Sequence, residues 1–227
     1  MVQLGAIIVA RMDSRRFPGK VLHPILGRPM LWHVAQICRQ VRALEGRIII
    51  ATTTRSIDNP IARFAFDHEL RIFRGDTDDV ARRLSDCSRF ARWDAFFRVN
   101  ADSPCLQPDL LDQAAAIYTS GELDLVTNLH PRSFPYGVSV ELLRASTFAQ
   151  ACLRFDGRNH REHATLYYYE HAQEFRIHNI ANPASNTPLP SLTLDMPEDL
   201  ARIEAYLANQ NEQNESLGRL ESVPALA

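Results

Sequence analysis

The chain has 227 residues, 45% of them hydrophobic, enough to bury a full core as one large domain. A formal net charge of −2 argues against a protein that grips nucleic acid through bulk electrostatics, because such surfaces are markedly basic. Any anionic partner has to be met locally.

In chain order, the apolar runs Leu4 to Ala10, Arg47 to Thr53, Arg71 to Phe73, Ala95 to Asn100 and Asp124 to Thr127 read as strands. Between them lie amphipathic stretches, Pro29 to Val41, Pro60 to Glu69, Asp78 to Phe90 and Pro108 to Tyr118, which read as helices. Three of these open with Pro, at a position where the missing N–H costs nothing. Strand–helix alternation with continuously apolar strands predicts an α/β fold with a mostly parallel sheet covered on both faces.

After Asn128 the rhythm changes. HPRSFPYG reads as a Pro/Gly loop and VSVELL as a half-exposed strand; Ser146 to Phe155 and His160 to His171 read as helices. EFRIHNI and SLTLD then read as strands and Pro197 to Leu207 as the last helix. The expected organisation is one domain over 1–208, with 130–180 as a lobe, and a flexible polar tail over 209–227.

The four cysteines are scattered without C-x-x-C spacing, which suits reduced thiols in the cytoplasm. The N-terminus has no basic n-region, and no stretch approaches the ~18 apolar residues of a membrane span. A soluble, untargeted protein is expected.

In a parallel α/β sheet, ligands bind beyond the carboxyl ends of the strands, which here are Arg11 to Lys20, Thr52 to Thr54, Arg74 to Asp79, Asn100 to Ser103 and Asp195. The first of these, in ARMDSRRFPGK, gathers Arg11, Arg15, Arg16 and Lys20. It is not a P-loop: Ser14 stands at the first Gly position, and Val21 replaces the Ser/Thr that would meet magnesium. Like charges held ~4 Å apart cost on the order of 4 kcal/mol at a surface dielectric, and an anion among them reverses each sign. A phosphate site is therefore preferred over a solvated basic turn.

ARMDSRRFPGKVLHPILGRPML resembles the N-terminal signature of the sugar-acid cytidylyltransferases, which include CMP-Kdo synthetases and acylneuraminate cytidylyltransferases. The branch named for spore coat polysaccharide biosynthesis protein F is nearest. IIIATTT, FRGDTDDV, RVNADSPCL, FPYGVSVELL, REHAT and LTLDMPEDL continue the resemblance in the family's order over about 4–207. It implies a three-layer α/β/α, Rossmann-like fold of the nucleotide-diphospho-sugar transferase kind, and transfer of CMP from CTP to an acidic sugar with release of pyrophosphate. It also implies surface-polysaccharide precursor synthesis, Mg²⁺ as cofactor and a homodimer.

Residue by residue, the resemblance places Arg11, Ser14, Arg16 and Lys20 on the triphosphate, with Ala10 and Asn100 lining the nucleotide. Thr52, Thr53 and Arg74 fall near the base. Arg15 stands where the family has Thr or Lys, so its role is open. Asp102 and Asp195 match the two metal-binding aspartates, and carboxylates suit a hard cation. Asp195 also fits the N-cap of a capping box with Pro197 and Glu198, and Asp102 fits an Asx-turn. Asp76, Asp78 and Asp79 read as caps of the next helix.

For the acceptor, the resemblance points to Tyr136, Glu141, Arg161, Glu162 and His163. Tyr136 and Ser139 replace two family aspartates, so the acceptor's identity does not transfer. His160 and His163 lie i, i+3, yet no further zinc ligands accompany them. The run Tyr167 to Tyr169 packs the lobe or a dimer surface. Two other readings are open: a glycosyltransferase, whose D-x-D motif is missing, and a nucleotide-binding homologue without catalysis.

Overall fold

The computed structural model describes residues 2–183 and 190–221, the stretch from 211 by its backbone alone. Six strands and four helices come first: β1 (Leu4–Val9), β2 (Pro24–Ile25), β3 (Arg28–Pro29), α1 (Met30–Gln40), β4 (Ile48–Thr53), α2 (Asn59–Asp67), β5 (Arg71–Gly75), α3 (Val80–Ala91), β6 (Ala95–Asn100) and α4 (Pro108–Ser120). The second part contains β7 (Leu125–Thr127), β8 (Glu141–Arg144), α5 (Ala145–Cys152), α6 (Arg158–Glu162), α7 (Leu166–Glu170), β9 (Ile177–Asn179) and α8 (Leu200–Glu221).

A seven-stranded sheet runs β5-β4-β1-β6-β8-β7-β9, and only β8 is antiparallel to its neighbours. Side chains alternate between its faces, as strand geometry requires. Ala6, Ile8, Ile50 and Phe97 join one buried cluster with the inner faces of α1, α2 and α4; Ile7, Ile49 and Phe96 join another with α3, α5 and α7. Layers on both faces explain why β1 and β4 are apolar without interruption.

The chain builds outward from β1 through β4 to β5, then returns to β6 on the other side of β1. That reversal leaves a crevice between the carboxyl ends of β1 and β6, where Val9 pairs with Asn100. The loop after each strand therefore opens onto the same space.

Several expectations need correction. SLTLD forms no ladder. It crosses the strand ends, held by Leu192 N–H to the Tyr136 carbonyl (2.6 Å) and Leu194 N–H to the Asp102 carbonyl (3.1 Å). Gly137, at φ 94°, permits that crossing, because a Cβ there would lie 2.4 Å from the Leu192 carbonyl. VSVELL is buried rather than half-exposed, since β8 is inserted between β6 and β7. The predicted His160 to His171 helix breaks into α6 and α7 around His163, which brings the Thr165 hydroxyl onto Glu141. The last helix does not stop at Leu207: with no proline to interrupt it, α8 carries the backbone to Glu221 through part of the segment expected to be flexible, and 222–227 lie outside the described residues.

All four cysteines are free. Among the described residues no helix is long and apolar enough to cross a membrane.

Trp93, 6% exposed, lies flat against Gly5 of β1, and a Cβ on Gly5 would meet its ring at 2.3 Å. Gly5→Ala should lower stability by about 1–3 kcal/mol through this overlap, read from the urea midpoint at unchanged m-value.

Candidate active site

A cavity of about 410 Å³ fills the crevice between β1 and β6. Arg11, Ser14, Arg15, Arg16 and Lys20 line it from the first loop. Asn100 and Asp102 line it after β6, Glu162 and His163 from the lobe, and Asp195 from the crossing segment. Ala10 is buried and bonds its N–H to the Ala51 carbonyl (3.1 Å), which fixes where the loop departs from the sheet.

The loop is closed on itself and tied to β4. Gly19, at φ 75°, donates its N–H to the Met12 carbonyl at 2.8 Å. Fully buried Asp58 accepts from the Met12 N–H at 2.7 Å and from the Thr53 hydroxyl. Arg55 pairs with Asp13 at 2.6 Å, and its hydrogen bond, opposed by burial and aided by the charge of Arg11, holds the Asp13 carboxyl below the usual carboxylate range. Sequence reasoning missed Asp58, Arg55 and Asp13. The signal was Asp58 just before Asn59-Pro60, which reads as an ordinary helix cap; its side chain instead turns back into the loop.

Lys20, only 8% exposed, is the hub. Its Nζ donates to Asp102 Oδ2 (2.8 Å), the Leu194 carbonyl (2.8 Å) and Asp195 Oδ1 (3.1 Å). Arg16 reaches Asp195 Oδ1 from the solvent side at 3.0 Å. Asp195 is not the cap expected of it: Asp199 accepts from the N–H groups of Asp195 and Met196 at 2.9 and 2.8 Å. The Asp195 carboxylate is thereby left to the cations.

Asp102 and Asp195 thus converge on one positive charge, with a carbonyl beside them. This hard-oxygen set suits a magnesium ion in chemistry, although Lys20 is its partner here.

Other expected residues fall elsewhere. Thr52 and Thr53 are fully buried and off the cavity wall, Thr53 being engaged by Asp58. Arg74 is also off the wall, with all its bonds going to Thr53, Asn59 and Arg55 at 2.8–2.9 Å. Thr53 and Arg74 brace the loop from behind, whereas the buried Thr52 hydroxyl has no hydrogen-bond partner.

Toward the lobe, a second cavity of about 440 Å³ shares Asn100, Asp102, His163 and Asp195 with the first. Tyr136 lines it, 64% exposed, with the Arg132 guanidinium 4.2 Å above its ring. Glu141 also reaches its wall but is 2% exposed, held by Arg98, by Thr165 and by the Tyr169 hydroxyl at 2.9 Å. It positions the wall. Arg161 pairs with Asp79 at 3.0 Å, while Glu162 meets Arg11 at 3.3 Å, so α6 is latched across the first cavity.

Asp79 caps α3 through the Arg82 N–H (2.8 Å), and Asp76 accepts from the N–H groups of Asp78 and Asp79, both at 3.0 Å. Asp78 itself does not cap. His160 meets Glu170 at 2.7 Å, and among the described residues no three His, Cys, Asp or Glu side chains come together as a metal site. Tyr167 and Tyr168 are buried in the lobe. Arg15 lines the cavity and has no ion pair among the described residues.

A depressed native pKa means that Asp13 contributes loop stability present above the ordinary carboxylate value of 3.8 and lost as pH falls through the native one. An NMR titration of Asp13 should give a midpoint below 3.8, and Arg55→Gln should move it upward.

The fold is shared with solved structures. A cytidylyltransferase from Leptospira borgpetersenii superposes with a TM-score of 0.86 at 22% identity, covering 100% of both chains. A CMP:2-keto-3-deoxy-manno-octonic acid synthetase in complex with CTP superposes at 0.67 and 17% identity, covering 92% of this chain and 99% of that one. Spore coat polysaccharide biosynthesis protein SpsF of Bacillus subtilis is 26% identical over 212 residues, 91% of this chain and 87% of the relative. Residues 5–220 match the sequence pattern of the cytidylyltransferases, and over nearly its whole length the chain belongs to that family.

Proposed function

We propose that the protein transfers CMP from CTP to a hydroxyl of a small acidic sugar and releases pyrophosphate, using Mg²⁺. The observation that carries this reading is the convergence of Lys20, Arg16, Asp102 and Asp195 where two cavities meet. One cavity carries the cationic loop, and the other is walled by the lobe.

In this reading Arg11, Arg16 and Lys20 bind the triphosphate, and Lys20 exchanges a carboxylate contact for a phosphate one. Asp102 and Asp195 would hold the magnesium ion, which neutralises charge on the α-phosphate and the leaving pyrophosphate. The acceptor hydroxyl, oriented from the second cavity past His163, attacks the α-phosphorus. A bond forms from that oxygen to phosphorus, and the bond to the bridging oxygen breaks opposite it. The protein acts through positioning and charge, without a covalent nucleophile. Precursor synthesis for a surface polysaccharide, by a cytoplasmic homodimer, accompanies this reading; sedimentation tests the dimer.

Lys20→Ala should lower CTP-dependent pyrophosphate release on the order of 100-fold or more, as loss of a preorganised charge contact does. Assayed with CTP, Mg²⁺ and a panel of acidic sugars, wild type should release pyrophosphate with at least one acceptor, and chelation of the metal should abolish it. Tight CTP binding with no release from any acid of the panel would defeat the proposal.

A further inference from the structure

The cavity wall contains a buried cation that the reaction above does not use. Arg83 of α3 is 0% exposed and lines the cavity beside Val80 and Val9. Its Nη1 donates to the Asp76 carbonyl at 2.6 Å. Nε and Nη2, which form one edge of the guanidinium, have no partner. Buried N–H groups in native proteins are almost always paired, so an unpaired donor edge on a cavity wall calls for an acceptor.

Nor does any carboxylate bond to the charge. Asp58 is engaged by Met12 and Thr53, and Asp76 by the N–H groups of Asp78 and Asp79. Gly75 makes room for this side chain: a Cβ there would lie 3.0 Å from Arg83 Cγ and 2.8 Å from Phe73 Cε1.

Where Arg83 sits decides what it meets. Burial pushes its pKa down to about 10, and the charges acting on it are Arg11, Asp58, Asp76 and Arg55. At neutral pH it remains a donor on every nitrogen. Arg83 packs its Cγ against Gly75 at the end of β5, whereas Asp102, which meets Lys20 and lies beside Asp195, follows β6 on the other side of β1, so Arg83 stands across the cavity from the phosphate end. Val9 and Val80 give that end an apolar wall suited to a flat, uncharged ring. Both free atoms are covered in this conformation, so contact with a ligand requires the wall to open.

We propose that Arg83 reads the nucleobase: Nε–H and Nη2–H donate to the O2 and N3 acceptors of cytosine and so select CTP over UTP. Uracil carries a hydrogen on N3 and would set a donor against a donor. The inference rests on CTP being the nucleotide substrate.

Calorimetric titration of the full chain with CTP, UTP and 3-deazacytidine triphosphate, which lacks the N3 acceptor, tests it. Wild type should bind CTP roughly 10- to 100-fold tighter than either analogue, the range of a bidentate base contact. Arg83→Gln should reduce CTP affinity to near that for UTP and leave UTP affinity nearly unchanged, which also shows that the variant is folded. Gly75→Ala, which displaces Arg83 and keeps its charge, should shift selectivity in the same direction. Equal binding of all three by wild type, or full CTP preference retained by Arg83→Gln, would overturn the assignment. Selective CTP binding lost in Arg83→Gln, alongside no pyrophosphate release by wild type, would uphold the base contact and defeat only the transfer reaction.

Discussion

The structure depends on one buried ammonium. Lys20 Nζ draws Asp102, from the end of β6, and Asp195, from a segment more than ninety residues later, onto a single point. Two carboxylates held this close would repel one another, and the cation between them is what makes their approach favourable. The Leu194 carbonyl completes the shell around a side chain that could not otherwise be buried charged. The two-cavity arrangement follows, because the same carboxylates form part of both walls.

Holding that lysine in place is the task of a second layer. Asp58 and the Arg55–Asp13 pair fasten the cationic loop to β4, and Arg74 fastens the β4–α2 turn in its turn. The loop's charges are thereby preorganised, so binding an anion does not have to gather them. On the far side, Glu141 ties β8 to Arg98 of β6 and to the Thr165–Tyr169 stretch of the lobe. Burial opposes the charge of Arg98, and the Glu141 carboxylate overcomes it and raises the Arg98 pKa. Fixed pairs therefore border both cavities, and Arg15 and the free edge of Arg83 are the exceptions on the first.

Much of the fold was legible because its periodicities are local. Apolar runs marked β1, the start of β4 and the first half of β6, and prolines marked the starts of α2 and α4. The lobe was less legible. His163 breaks a helical pattern because Thr165 is needed at Glu141, a partner twenty-four residues away. SLTLD has the composition of a strand, yet it finds no neighbour to pair with and serves as a strap across the strand ends.

The sequence by itself determined the alternating α/β order, the cationic loop after the first strand, and the aspartate that follows β6. These follow from composition and short spacing. Only the tertiary structure decided which charges meet which. It buried Thr52, turned Thr53 and Arg74 into braces, committed Glu141 to the interior, put Asp199 rather than Asp195 at the helix start, and placed Arg83 on the wall of the cavity. The physical reason is that such pairings depend on the crossing of distant segments, and ion pairs act over a few ångströms whatever their separation in sequence.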